Sequence, residues 1–149
     1  MGLDMYLTGK IYIGANYEHN DVSGSINLKK AGMDVDVPID KIDNIEIGLG
    51  YWRKANAIHK FFIDNCGRGD SEAQCMYVER DALKELLELC KRVKKNHDIA
   101  EALLPTQSGF FFGYTEYNDY YFNCINDTIH IIEDALKYKN VDYYYSASW

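Results

Sequence analysis

The stretch Tyr51-Trp-Arg-Lys-Ala-Asn-Ala-Ile-His-Lys-Phe-Phe62 combines aromatic, cationic and amide side chains at a spacing that is typical of a helix. Its apolar side chains recur every three or four residues: Tyr51, Ala55, Ile58 and Phe62. A polar row lies on a second side (Arg53, Asn56, Lys60), and a mixed row lies between the two (Trp52, Asn56, His59, Ile63). The spacing predicts an amphipathic helix over residues 51–65.

Two further stretches show helical periodicity. Residues 80–96 carry an apolar stripe, with an acid near the start and lysines near the end, as the helix dipole favours. Residues 116–138 carry another apolar stripe, and short alternating segments elsewhere predict strands. This order of elements predicts an α+β fold, a single domain over residues 1–149 with three helices packed on a mostly antiparallel sheet. We expect five helix residues to be buried: Leu86, Leu87, Ile125, Ile129 and Ile132.

The composition is that of a globular chain with an acidic surface. Hydrophobic residues make up 47% of the 149 residues, and the formal net charge is −7. That charge disfavours nonspecific nucleic-acid binding through phosphate contacts. Thirteen tyrosines supply side chains with an apolar body and a polar tip, which suit contact surfaces.

Several kinds of site are not indicated by the sequence. The four cysteines contain no C-x-x-C pair, so we expect reduced thiols and no metal site. Glycine-rich nucleotide motifs, H-E-x-x-H and G-x-S-x-G do not occur, so we expect no cofactor and assign no catalytic residue. The chain has no signal pattern and no apolar run long enough to cross a membrane, which predicts a cytoplasmic protein without membrane contact.

Thr106-Gln-Ser-Gly-Phe-Phe-Phe-Gly-Tyr-Thr-Glu-Tyr117 is the second unusual stretch. Three consecutive phenylalanines between Gly109 and Gly113 predict a short, fully buried strand. The glycines allow the backbone to approach another group closely, and Thr115 is the expected N-cap of the third helix. We expect this segment to close over the first helix and to contribute three polar side chains to a site: Gln107, Ser108 and Glu116.

The two stretches together predict a ligand site. Aromatic rings can stack on a base, cations can meet phosphates, and amide and imidazole groups form directional hydrogen bonds. The residues expected to bind an anionic, nucleotide-like small molecule are Trp52, Arg53, Asn56, His59, Lys60, Gln107, Ser108 and Glu116. The alternative is structural, in which the row of Trp52 only packs the first helix against the sheet.

Four blocks of the sequence resemble a family of small phage and prophage proteins. The blocks are Met1-Gly-Leu-Asp-Met-Tyr-Leu7, Gly50 to Phe61, Leu104 to Gly113 with Thr115 to Tyr117, and Tyr143-Tyr-Tyr-Ser-Ala-Ser-Trp149. The resemblance runs from end to end, except around Cys66 to Cys75. It implies a context, which is an accessory protein made in the cytoplasm of an infected bacterial cell, and it carries over no catalytic residue.

Three functions are open in that context. The first is a binding protein that antagonises host defence by sequestering a nucleotide-type signal. The second is an inhibitor that contacts a host defence protein directly through an acidic, tyrosine-rich surface. The third is a small hydrolase or transferase that uses His59 and Glu116 as acid and base. The absence of catalytic motifs favours a non-enzymatic role, and a homo-oligomer is compatible with all three functions.

Overall fold

The computed structural model describes residues 2–14, 24–30, 33–67 and 75–149. These residues form a four-stranded antiparallel sheet, a two-stranded sheet and four α-helices. The strands are β1 (Asp4–Tyr12), β2 (Ser25–Lys30), β3 (Met33–Pro38), β4 (Asn44–Arg53), β5 (Met76–Val78) and β6 (Asp142–Ser148). The helices are α1 (Asn56–Cys66), α2 (Arg80–Lys95), α3 (Ala100–Leu103) and α4 (Asp119–Ala135). The predicted α+β class is confirmed, and α3 is a short helix that the sequence analysis did not predict.

The main sheet has the strand order β4-β1-β6-β5, and one of its faces is covered by helices. In β1 the side chains of Met5 and Leu7 are fully buried, whereas Tyr6 between them is 43% exposed. In β6 the side chains of Tyr143 and Tyr145 are buried in the same alternating way. Successive side chains of a strand point to opposite faces, so the covered face is apolar and the other face presents half-exposed tyrosines.

The core lies between the covered face of the sheet and the helices α1, α2 and α4. Helix α2 turns one apolar stripe inward: Leu83, Leu86, Leu87, Cys90 and Val93. The five helix residues predicted to be buried are all buried, which confirms that part of the prediction: Leu86, Leu87, Ile125, Ile129 and Ile132. Burial of each such side chain contributes roughly 1.5–3 kcal/mol to the stability of the fold, so α2 and α4 hold the sheet in place.

The first helix begins later than the sequence predicts. Residues 51–53 continue strand β4, where Trp52 pairs with Met5 of β1. Trp52 is buried between two exposed neighbours, so the local period is two and not 3.6. Lys54 then has a left-handed backbone with φ 54°, and α1 starts at Asn56. The prediction of a helix from residue 51 is wrong, because a short aromatic segment fits either period and pairing with β1 decides it.

The third predicted helix, over 116–138, is shorter in the structure and spans Asp119–Ala135. Its N-cap is Asn118, whose side-chain oxygen accepts a hydrogen bond from the backbone N–H of Tyr121 at 3.2 Å. Thr115 is therefore not the N-cap. Asparagine is preferred over threonine at this position, and a cap at residue 118 leaves residues 115–117 outside the helix.

Other parts of the prediction have mixed outcomes. The sequence also predicts a short strand over residues 76–78, which is confirmed, and a last strand over residues 141–145, which the structure places at Asp142–Ser148. It further predicts a turn at residues 31–32 and a loop over residues 66–72; the turn and most of this loop lie outside the described residues. All four cysteines are unpaired, and burial raises the pKa of the Cys90 thiol to about 12. No helix within the described ranges is long and apolar enough to span a bilayer.

Truncation of the α2 stripe is expected to destabilise the fold. Leu86 is fully buried, so Leu86→Ala should lower the free energy of unfolding by about 2–5 kcal/mol through lost contacts and a cavity. Glu88→Ala, on the exposed side of the same helix, is the matched control and should change it by less than about 0.5 kcal/mol. Urea denaturation followed by circular dichroism measures both, and equal effects would contradict the packing of α2.

Candidate functional site

The side chain of Asn56 fixes a loop that follows helix α3. Asn56 is buried at the first position of α1. Its Nδ2 donates hydrogen bonds to the carbonyl oxygens of Phe112 at 3.1 Å and Tyr114 at 2.8 Å. Its Oδ1 accepts a hydrogen bond from the backbone N–H of Gln107 at 3.1 Å. One side chain therefore binds both ends of residues 107–114, which we call the clamped loop.

Hydrogen bonds from neighbouring segments also hold the clamped loop. The backbone N–H of Leu3 donates to the carbonyl oxygen of Phe111 at 3.1 Å, which ties the loop to the start of β1. The hydroxyl of Thr106 donates to the carbonyl oxygen of Thr115 at 2.9 Å and closes the base of the loop. Together with the three bonds of Asn56, these contacts give the loop a defined backbone.

The two glycines of the clamped loop are needed for space and for backbone conformation. A Cβ on Gly109 would lie 2.7 Å from the ring of Phe112. The backbone N–H of Phe112 donates a hydrogen bond to the carbonyl oxygen of Gly109 at 3.1 Å. Gly113 has φ 87°, a conformation that favours glycine, and a Cβ there would lie 3.1 Å from the Lys54 side chain. The close approach expected of these glycines is thus to other parts of the chain.

The three phenylalanines do not form the buried strand that the sequence predicts. Phe112 is buried, and its ring contacts His59 and Trp149 at centroid distances of 5.1 and 5.7 Å. Phe110 projects from the loop and is 95% exposed, and its ring meets that of Phe111 at 4.8 Å. The prediction is wrong because the flanking glycines bend the chain, so consecutive side chains take different directions and do not alternate across a sheet.

Trp52 and His59 are core residues. Trp52 is 3% exposed, and its indole N–H donates to the hydroxyl of Thr128 in α4 at 2.9 Å. His59 is 2% exposed, and its Nδ1 shares a hydrogen bond with the hydroxyl of Tyr145 at 2.7 Å. Burial lowers the pKa of His59 from 6.5 to about 4, so the imidazole is neutral at pH 7. Neither side chain reaches a surface where a ligand could meet it, which matches the structural alternative.

Arg53 and Lys54 place two cations at the end of β4, next to the clamped loop. The hydroxyl of Tyr120 donates to the carbonyl oxygen of Arg53, and the side chain of Lys54 lies against Gly113. A left-handed backbone at a non-glycine residue costs of order 1–3 kcal/mol, and such strain concentrates at functional sites. Among the described residues, neither cation is within ion-pair distance of a carboxylate.

A small depression lies beside Lys54. It is bordered by Lys54, Tyr114, Glu116 and Tyr120, and its volume of about 20 Å³ suits a water molecule and is too small for a nucleotide. Tyr114 is 78% exposed and lies on the clamped loop. We use the name sheet-end surface for six exposed residues: Arg53, Lys54, Phe110, Tyr114, Glu116 and Tyr120.

Lys60 lies away from the sheet-end surface. Its ammonium group pairs with the carboxylate of Asp64 one turn later, with Nζ 2.8 Å from Oδ2. The same lysine lines a separate groove between α1 and α2. Lys60 therefore cannot act together with Arg53 on one small ligand.

The structure divides the eight predicted site residues into three groups and does not bring them into one cavity. Three are buried: Trp52, Asn56 and His59. Four lie on the clamped loop or on the sheet-end surface: Arg53, Gln107, Ser108 and Glu116. Lys60 stands alone at the groove. Asn56 connects the two predicted stretches through hydrogen bonds, and it does so as a structural clamp.

Four residues of the surface were not predicted from the sequence: Lys54, Phe110, Tyr114 and Tyr120. A lysine carries no sequence signal for a left-handed backbone, because that conformation favours Gly, Asn and Asp. For Phe110 the pair of glycines four residues apart was a usable signal, since glycines on both sides of an apolar run also predict a bend. Phenylalanine is usually found in cores, and this preference wrongly favours a buried position for all three phenylalanines at 110–112.

Comparisons of this chain with family models, with curated proteins and with solved structures give no match. Within the described residues, no group of three or more His, Cys, Asp or Glu side chains is placed to hold a metal ion. The argument for a function therefore depends on the geometry of the sheet-end surface.

Removal of the Asn56 side chain is expected to release the clamped loop. Asn56→Ala deletes three hydrogen bonds and leaves buried backbone groups without partners, so the free energy of unfolding should fall by about 2–4 kcal/mol. Asn65→Ala is the matched control, because that side chain makes one hydrogen bond, to the carbonyl oxygen of Phe61, and the cost should stay below about 1.5 kcal/mol. Urea denaturation gives both values, and equal losses would mean that Asn56 is not a clamp.

The buried, neutral His59 predicts a pH dependence of stability. Its pKa of about 4 in the folded state lies below the ordinary 6.5, so the unfolded chain binds more protons between these values. The stability linked to this group is therefore complete above about pH 6.5 and is lost as the pH falls towards 4. An NMR titration of the His59 ring should show a midpoint near pH 4, and a midpoint near 6.5 would contradict the burial.

Proposed function

We propose that this chain is a binding protein that covers part of a protein partner with its sheet-end surface. The observation that carries the proposal is Phe110, which is 95% exposed on a loop with a hydrogen-bonded backbone. In the context implied by the resemblance to phage and prophage proteins, the partner is a defence protein of the bacterial host. Binding then antagonises host defence by blocking that protein.

The clamped loop holds the apolar ring of Phe110 out in water. Burial of a phenylalanine side chain contributes roughly 1.5–3 kcal/mol, and the fold forgoes this contribution at Phe110. A partner that encloses the ring recovers it. Because Asn56 already orders the clamped loop in the free protein, association does not have to supply the entropy of ordering that backbone. A preorganised loop with an exposed ring is therefore suited to tight binding.

The other residues of the sheet-end surface also suit a protein interface. Tyr114 is 78% exposed and Tyr120 is 48% exposed, and Arg53 adds a guanidinium group. Aromatic residues and arginine carry most of the binding energy in protein interfaces. The six residues of the sheet-end surface include two cations, Arg53 and Lys54, and one carboxylate, Glu116, so an apolar pocket rimmed by carboxylates is the complementary partner surface.

A second candidate function is the sequestration of a nucleotide-type signal. It is favoured by one observation, the two cations that lie beside the exposed rings of Tyr114 and Tyr120, because this combination suits a phosphate and a base. It has less support than protein binding, because Trp52 and His59 are buried and the depression holds only about 20 Å³. The hydrolase or transferase hypothesis has the least support, since His59 is enclosed and Glu116 is on the surface.

Replacement of Phe110 is expected to abolish partner binding without affecting the fold. The chain is immobilised and exposed to an extract of the infected host, and the retained protein is identified and purified for calorimetry. Phe110→Ala should weaken its affinity at least about tenfold, because a central aromatic anchor is lost. Tyr138→Ala, which removes a 43% exposed ring beyond the far end of α4, is the matched control and should bind like the unaltered chain.

Two outcomes of this experiment would count against the proposal. Equal affinity of Phe110→Ala and Tyr138→Ala for every retained protein would show that the sheet-end surface is not the interface. Calorimetric binding of a cyclic or linear nucleotide that is lost on Arg53→Ala with Lys54→Ala would instead support the second candidate. Circular dichroism of each variant confirms that the helices and strands are intact.

A further inference from the structure

A second concave region is a groove between α1 and α2. It has a volume of about 290 Å³, and residues 102–105 form part of its lining. Its walls are mainly apolar and come from both helices, from the end of α3 and from the two residues after it: Phe61, Leu89, Leu103, Leu104 and Pro105. This volume is close to the lower end of the range for small-molecule sites in proteins. The groove is larger than the depression on the sheet-end surface, with volumes of about 290 and 20 Å³.

Three ionisable side chains line the groove, and together they leave it negative. Lys60 and Asp64 of α1 neutralise each other at 2.8 Å. Glu85 of α2 is exposed and lies within ion-pair distance of no cation among the described residues. Asp64 and Asn65 are in the last turn of α1, which is the negative end of the helix dipole. The charges therefore favour a cation.

We propose that this groove binds a small organic ammonium ion with an apolar tail. The ammonium group pairs with the carboxylate of Glu85, and the tail lies on the apolar wall formed by the half-buried side chains of Leu89 and Leu103. The two halves of such a ligand match the two kinds of lining: a charged rim and an apolar floor. An anion of the same size meets an uncompensated carboxylate, and a neutral alcohol gains only the apolar contact.

The inference is independent of the proposed function. It uses Glu85, Leu89 and Leu103, none of which belongs to the sheet-end surface, and it concerns a small molecule and not a protein. Loss of partner binding in the Phe110→Ala variant would not affect the proposal about the groove. Conversely, an empty groove leaves the argument from Phe110 unchanged.

Three probes with the same tail and different head groups test the proposal: the hexylammonium ion, hexan-1-ol and hexanoate. Each is titrated into the full chain labelled with ¹⁵N, and amide shifts are followed by NMR at neutral pH. Hexylammonium should shift the amides of Phe61, Leu89 and Leu104 and saturate, hexan-1-ol should bind more weakly at the same amides, and hexanoate should bind most weakly.

Two variants test separately the role of the Glu85 carboxylate and the role of the volume of the groove. Glu85→Gln should weaken hexylammonium binding about tenfold and leave hexan-1-ol unchanged, because one charge-assisted hydrogen bond is lost. Glu88→Gln, the same change on the exposed side of α2, is the matched control and should bind like the unaltered chain. Ala102→Trp should fill the groove and abolish binding of both probes while the remaining amide spectrum is retained.

The proposal is overturned by either of two results. Equal affinities of the three probes would show that the groove does not select a cation. Saturable binding of hexylammonium that Glu85→Gln and Ala102→Trp both leave unchanged would place the ligand somewhere else on the protein.

Discussion

The hydrogen bonds of the Asn56 side chain are the constraint on which the described surface depends. Helix α1 has Ala55 as its N-cap, and this residue makes no side-chain capping bond. Asn56 is of a residue type that could cap a helix, yet its amide group binds residues 107–114. A capping bond is typically worth about 1 kcal/mol. The chain thus leaves the start of α1 uncapped and uses the asparagine to order a loop that is distant in sequence.

Ordering of the clamped loop has opposite consequences for two neighbouring phenylalanines. Phe112 is turned into the body, where it meets His59, and His59 is held by the hydroxyl of Tyr145. Phe110 is turned out and is 95% exposed. Both orientations follow from one backbone path, because the bond from Asn56 to the Phe112 carbonyl oxygen fixes where the chain turns. The histidine that the sequence made prominent is therefore part of the support for the loop and does not contact a ligand.

The sequence predicted those elements whose pattern extends over several turns. The stripes of α2 and α4 repeat often enough to exclude a strand, so their existence and their buried residues could be predicted. The segment 51–55 is too short for such a test, and its structure is decided by pairing of Trp52 with Met5, a contact between distant parts of the chain. The left-handed backbone of Lys54 depends on the same junction. The two stretches that form the site could be identified from the sequence, but the roles of Asn56 and Phe110 depend on contacts that no local pattern contains.

Binding through a preorganised sheet-end surface requires that the clamped loop is rigid in solution while its tip is exposed. Backbone ¹⁵N relaxation of residues 107–114 in the free protein tests this requirement most directly. The hydrogen bonds of Asn56 predict order parameters of about 0.85 along the loop, close to those of a rigid backbone, with Phe110 included. Order parameters below about 0.6 across the loop would show that it is flexible and would contradict a preorganised binding surface.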